Sequence, residues 1–233
     1  MIYDGSKEMS MIYDGDKELI AVYDGEKEVW SNVKIIDLGV AKEWDIKALY
    51  PYLYKKLTVN NFLILKTNTA AANFGIRVDP GDDTDYWHIN GQLYKSYDAE
   101  TGKLNCYTRI YGNAGGTNSV RVIMYTKLDK LISLGTGQEF NVSNYSGYQN
   151  FTEDNFLISS AGGTDYYNSF RPWGGATYSG SGSASVGIYK EYNKSTGKLK
   201  CYLFHQQGNT DGTYNWFNFS AKANTTVYLR TEI

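Results

Sequence analysis

Apolar and polar positions alternate with a period of two through the clearest segments of the chain. Leu104 and Cys106 alternate with Asn105 and Tyr107, and Leu199 and Cys201 alternate with Lys200 and Tyr202. In a strand that period sends Leu and Cys to one face, the expected core face, and their neighbours to the other. Each run follows a turn signal, Asp98 to Gly102 and Asn193 to Gly197, read as a hairpin loop with its Gly in the left-handed region. The pattern elsewhere also predicts short strands and dense turns. The only helical candidate spans Lys42 to Tyr54; Pro51 interrupts it, so at most one turn is expected.

Two kinds of repeat order these elements. Residues 1–30 are three decapeptides, MIYDGSKEMS, MIYDGDKELI and AVYDGEKEVW, each carrying Tyr-Asp-Gly-x-Lys-Glu. An Asp-Gly pair between short β-prone runs favours a tight hairpin turn. Each decapeptide is therefore expected to form a small hairpin. A lone hairpin is marginal in water, so the three must stack on each other, on another subunit or on a partner. The rest of the chain is a tandem duplication. Asn61-Phe62-Leu63-Ile64 matches Asn155-Phe156-Leu157-Ile158, and the segment Tyr94 to Tyr107 matches Tyr189 to Tyr202. The expected architecture is all-β: hairpin repeats over 1–33, then two tandem homologous antiparallel β-sandwich modules of jelly-roll type over 34–128 and 130–233.

Composition agrees with this reading. The chain holds 22 Tyr and 24 Gly but only 3 Pro, which suits short strands joined by tight turns. Its 23 basic and 25 acidic residues leave a net charge of −2, so no basic footprint for nucleic acid or membrane surface is expected. No apolar run approaches the ~20 residues of a membrane span, and the polar start reads as no secretion signal. Cys106 and Cys201, 95 residues apart, are expected to be reduced core side chains.

Candidate chemistry is sparse. His88 and His205 do not occupy matching repeat positions, and no nucleophile, zinc or phosphate-loop motif occurs. The acidic run containing Asp82, Asp83 and Asp85 reads as a solvated loop rather than a calcium site, and no cofactor or metal is expected. Those carboxylates with Glu100 would be the material for a glycosidase, but the chain reads as a non-enzyme. Aromatics placed in loops beside polar groups suggest sugar stacking: Tyr86 and Trp87 next to the acidic run, Tyr166, Tyr167 and Trp173 with Arg171, and Trp216 near the last hairpin.

The decapeptides, the Leu134 to Val142 opening (LGTGQEFNV), the Asn-Phe-Leu-Ile block and the Tyr192 to Leu199 turn (YNKSTGKL) resemble structural proteins of tailed bacteriophages of Gram-positive hosts, of the baseplate, tail-fibre and head-fibre type. The resemblance implies a virion component made in the host cytoplasm, often a homo-trimer. It carries over no site residue. The first half departs from it, with Val40-Ala41 where the second has Thr136-Gly137. The expected function is a tail or baseplate accessory adhesin. Residues 1–33 would contact other virion proteins, and the aromatic loops would bind host cell-wall polysaccharide. The rival is a head-decoration, head-fibre or collar protein with purely structural contacts.

Overall fold

The computed structural model describes residues 3–4, 7–8, 12–14, 17–19, 21–24, 27–31, 35–78, 85–112, 115–126, 128, 131–170, 178–209 and 219–231. For those before residue 35, and for 74–78, 85–87, 167–170, 178–180 and 209, it describes the backbone alone. The described chain is all-β. Six short strands come first: β1 (Tyr3–Asp4) pairs β2 (Lys7–Glu8), β3 (Ile12–Asp14) pairs β4 (Lys17–Leu19), and β5 (Ala21–Asp24) pairs β6 (Lys27–Ser31). Each pair is a separate two-stranded antiparallel ladder in which the Asp of the repeat faces its Lys.

The first half continues with β7 (Ile35–Ala41), β8 (Glu43–Asp45) and one helical turn, α1 (Ile46–Leu49). Asp45 caps that turn by accepting from the Ala48 amide at 2.9 Å. The 3-10 turns Tyr54–Lys56 and Val59–Asn61 lead into β9 (Phe62–Thr67), β10 (Ala70–Val78), β11 (Asp85–Asp98), β12 (Lys103–Gly112) and β13 (Gly116–Tyr125). The second half repeats the order: β14 (Ile132–Gly137), β15 (Glu139–Asn141), 3-10 turns at Tyr148–Asn150 and Glu153–Asn155, β16 (Phe156–Ala161), β17 (Thr164–Phe170), β18 (Tyr178–Asn193), β19 (Lys198–Asn209) and β20 (Phe219–Leu229).

One large antiparallel sheet joins both halves in the order β10-β18-β19-β20-β16-β9-β13-β12-β11-β17. The order is a palindrome in repeat terms, and at its centre Ile64 lies opposite its own counterpart Ile158. Each half lends a strand to the other. β10 runs along β18 from Ala70 opposite Val186 to Val78 opposite Tyr178, and β17 runs along β11 from Thr164 opposite Gly91 to Phe170 opposite Asp85. The short link after β9 is held over its own half by Asn68 N–H donating to Ser119 O and Asn118 Nδ2 donating to Thr69 O. The chain therefore crosses its own ladder and continues into the neighbouring one.

β13 and β20 each bend between two partners. Gly116 to Ser119 pair with β12, whereas the following residues lie between β7 and β9; β20 likewise leaves β19 for β14 and β16. Two ladders result, β17-β11-β12-β13 and β10-β18-β19-β20, and they face each other across Ala70, Ala72, Ile89, Ile110, Ala184, Val186, Leu203 and Ala223. Mostly small side chains let the sheets approach closely. A larger core also draws on both halves, with Phe62, Ile64, Met124, Phe156, Ile158 and Val227 packed beside Leu104, Cys106, Leu199 and Cys201. Both cysteines are free and fully buried, and Leu and Cys share the core face as their alternation predicts.

A matched pair of half-buried lysines is held in this frame. Lys95 Nζ donates to Phe62 O at 2.9 Å; Lys190 Nζ donates to Phe156 O at 3.1 Å and to Leu65 O at 2.7 Å. Burial disfavours each ammonium and lowers both pKa values to about 8. Between pH 8 and the ordinary value near 10.5 the unfolded chain holds protons that the folded chain has released. Stability therefore rises with pH across that window, by up to about 3 kcal/mol per lysine. Above pH 9 the buried thiols of Cys106 and Cys201, both raised by burial, act in the opposite direction in either chain. Tm followed from pH 7.5 to 9 should therefore climb for the native chain relative to Lys95→Met/Lys190→Met; equal slopes in the two would refute the assignment.

Candidate ligand-binding faces

Of the residues expected to bind ligand, Asp82, Asp83, Arg171, Trp173 and Trp216 lie outside the described residues. Asp85, Tyr86 and Trp87 open β11, and Tyr166 and Tyr167 lie in β17. All five were expected in loops, and strand exchange places them in a ladder instead. Tyr86 faces Ser169, Trp87 faces Asn168 and Ile89 faces Tyr166, so segments some 80 residues apart become neighbouring strands. The Tyr166 ring packs on Phe219 with centroids 4.4 Å apart. Phe219 also lines a cleft of about 470 Å³ with Ser183, Ser185, Gln206, Gln207 and Ser220.

A second arrangement follows from the hairpin turns. In β11 and β12 the core takes Ile89, Leu104, Cys106 and Ile110, so the alternate positions face outward. There Tyr94 lies opposite Tyr107, and the rings stack with centroids 5.0 Å apart at 25°. The second half repeats this: Tyr189 lies opposite Tyr202, with centroids 5.0 Å apart at 20°. Each stack has a cation beside it. Arg109 lies 5.0 Å from the Tyr94 ring and 5.5 Å from the Tyr111 ring, and Lys222 lies 4.5 Å from the Tyr202 ring. Tyr111 and Tyr189 are 56 % and 38 % exposed. Flat aromatic strips bordered by amide, hydroxyl and charged groups can stack on the C–H face of a sugar ring and hydrogen-bond its hydroxyls. Aromatics counted by their place in loops do not include these four, which lie in strands. The signal lay in the repeat itself, because Tyr94 and Tyr107 recur as Tyr189 and Tyr202 around identical turns.

The two faces differ in their polar groups. On the first, Arg109 Nε and Nη2 donate to Gln92 Oε1 at 2.8 and 2.6 Å, and Lys42 Nζ donates to Thr117 Oγ1 at 2.8 Å. On the second, Tyr189 OH donates to Glu191 Oε2 at 2.7 Å, and Lys200 is ion-paired to the same oxygen at 3.4 Å. These two partners hold Glu191 below the usual carboxylate range, and the hydrogen bond to Glu191 raises Tyr189. Phe204 and Gly187 stand where the first face has Arg109 and Gln92; a Cβ on Gly187 would lie 3.1 Å from the Phe204 ring, so that ring lies across the glycine.

Between the ladders lies a buried polar group. His205 is fully buried, and neither ring nitrogen has a hydrogen-bond partner among the described residues; the same holds for the side-chain amide of Gln207. Phe219 meets the His205 ring edge-on at 5.4 Å. Burial lowers the His205 pKa to about 4, and the charge of Asp165 only partly opposes this. Asp165 is itself bonded to His88 Nε2 at 2.5 Å.

Among the described residues no cluster of three His, Cys, Asp or Glu side chains could hold a metal ion, and no helix is long and apolar enough to cross a membrane. Asp98, two residues before Glu100, is taken up by its own turn, accepting from the Glu100 amide at 2.9 Å and from Thr101 Oγ1 at 2.6 Å. Comparison with family models, curated proteins and solved structures returns no match.

Proposed function

We propose that this chain is a non-catalytic binding protein whose outer sheet faces hold polysaccharide, in the setting of a phage tail or baseplate accessory adhesin that engages a host cell wall. The observation that carries the reading is the duplicated tyrosine stack, Tyr94 on Tyr107 and Tyr189 on Tyr202, each on a solvent-facing sheet surface beside a cation. A core seldom needs two symmetry-related aromatic pairs pointing away from it, whereas a flat ligand does. Two copies of a weak site on one chain favour a repeating polymer through effective concentration, and a homo-trimer would multiply that gain.

In this reading residues 1–33 are hairpin repeats that dock the chain onto other virion proteins, and the duplicated halves 34–128 and 130–233 display the faces. The short N-terminal ladders are each too small to persist alone in water, which favours a role in assembly. The same feature supports the rival, a head-decoration, head-fibre or collar protein in which the tyrosine faces are protein contacts. Tyr107→Ala/Tyr202→Ala separates the two. Adsorption to host cells and retention by purified cell-wall polysaccharide should each fall about tenfold or more, with Tm unchanged, since tenfold is about 1.4 kcal/mol. Unaltered adsorption and retention, with loss of the chain from assembled particles, would sink the adhesin and favour the rival.

A further inference from the structure

The two tyrosine faces are not chemically equivalent. On the first, two of the five guanidinium N–H donors of Arg109 reach Gln92, the cation leans on Tyr94 and Tyr111, and the rest of the group borders an exposed strip. Lys42 is fixed to Thr117, and Thr117 lies directly opposite Arg109 in the ladder, so both cations serve one patch. Neither forms an ion pair among the described residues. Glu43 lies farther along the same face, opposite Asn105, and Asp165 on β17 is occupied by His88. On the second face a carboxylate stands against the stack itself, since Glu191 accepts from Tyr189 and neutralises Lys200; Phe204 replaces the guanidinium, and Lys222, over Tyr202 and opposite Phe204, is an ammonium without the guanidinium's parallel donors.

Resting on the polysaccharide reading above, we infer that the first face selects an anionic polymer, one with a carboxylate or phosphate on its repeating unit, while the second accepts neutral sugar. An oriented guanidinium flanked by rings matches a planar or tetrahedral oxyanion with parallel N–H donors while the adjacent tyrosines take the sugar ring. Glu191 would repel the same anion at the corresponding position. Single-stranded nucleic acid also uses aromatics and cations, but it needs a basic groove along its backbone. This chain carries a net charge of −2 and places hydroxyl and amide groups, Thr117, Ser119, Gln92 and Asn105, beside the strip.

The test uses the full chain in affinity electrophoresis and calorimetry at 50 and 300 mM salt. The probes are polygalacturonate, the same polymer fully methyl-esterified, poly(glycerol phosphate), dextran and a thymidine 20-mer. An anionic polymer should bind at least tenfold tighter than the neutral ester or dextran at low salt, and the preference should shrink at high salt. Polygalacturonate above poly(glycerol phosphate) assigns a carboxylate, and the reverse order assigns a phosphate. Arg109→Gln, checked for unchanged Tm, should abolish the preference, and Lys42→Gln should weaken it. Equal affinity for ester and acid overturns the selectivity but leaves the polysaccharide reading standing. Binding to none of the sugar polymers removes both, and tightest binding to the oligonucleotide reassigns the face to nucleic acid.

Discussion

Gly102→Ala should destabilise the protein by about 2–5 kcal/mol and blur the first tyrosine face with it. Gly102 has φ +72°, and left-handed backbone costs a side-chain-bearing residue roughly 1–2 kcal/mol. Space is a second cost. A Cβ there would lie 2.5 Å from Lys47 Cβ and 2.7 Å from the Lys47 backbone nitrogen, and overpacking of this kind costs about 1–3 kcal/mol. The contact is close because Gly102 O accepts from the Ile46 amide at 2.8 Å, docking the single turn of α1 and its fully buried Ile46 against the hairpin. Gly39 is the control. Its φ is +77°, but a Cβ there would meet nothing within 4 Å, so Gly39→Ala should lose only the backbone share. Urea midpoints decide the matter: equal shifts for the two variants would show that the steric argument is wrong. Gly197, with φ +66° and Ser143 N at 2.7 Å, should behave like Gly102. The turn also sets which residues of β11 and β12 face each other, so Gly102→Ala should reduce ligand binding beyond what its stability loss predicts.

His205→Ile is expected to act in the opposite direction. The counterpart of His205 in the first half is Ile110, which fills the same inter-ladder layer at 3 % exposure. A buried polar group without a partner costs about 1–3 kcal/mol, and an apolar side chain of similar bulk recovers it. At neutral pH Tm should rise by about 2–4 °C for each kcal/mol gained. The pH dependence is more diagnostic. The His205 pKa is lowered from 6.5 to about 4 in the folded state. Below pH 6.5 the unfolded chain therefore binds a proton that the folded chain rejects. Stability contributed by the neutral ring is full above pH 6.5 and is lost as pH falls towards 4, by up to about 3 kcal/mol. The native chain should lose Tm between pH 6.5 and 4, and His205→Ile should lose markedly less. Identical acid profiles would mean that His205 does not carry the effect.

These two residues mark where sequence reasoning succeeds and where it stops. Gly102 and Gly197 were legible because five-residue loops ending in Gly between alternating runs have few conformational solutions. That reading also implies the tyrosine face. Pairing Asp98 with Lys103 fixes Tyr94 opposite Tyr107, and alternation against buried Cys106 sends both tyrosines outward. His205 carried no such signal. Its burial depends on which strands cover it, and a Cβ on Gly91 would lie 3.1 Å from His205 Cβ, across the gap between two ladders drawn from different halves.

What is local was legible along the chain: all-β character, the duplication, the turn conformations, the core positions of Cys106 and Cys201, and the register within each hairpin. Each follows from a period of two and from the steric rules of short loops, which act over a few residues. That β10 and β17 change places between the halves emerges only from packing across the whole chain. That exchange converts the repeats into one continuous sheet, moves Tyr166 and Tyr167 from an expected loop into a ladder, and buries His205. Strand partners beyond a hairpin are selected by which apolar faces can close together across the whole chain, and two similar halves offer each strand two nearly equivalent partners. Local pattern does not distinguish between such partners; the short links at Asn68-Thr69 and Gly162-Gly163, held across their own ladders, direct each strand onwards into the other half.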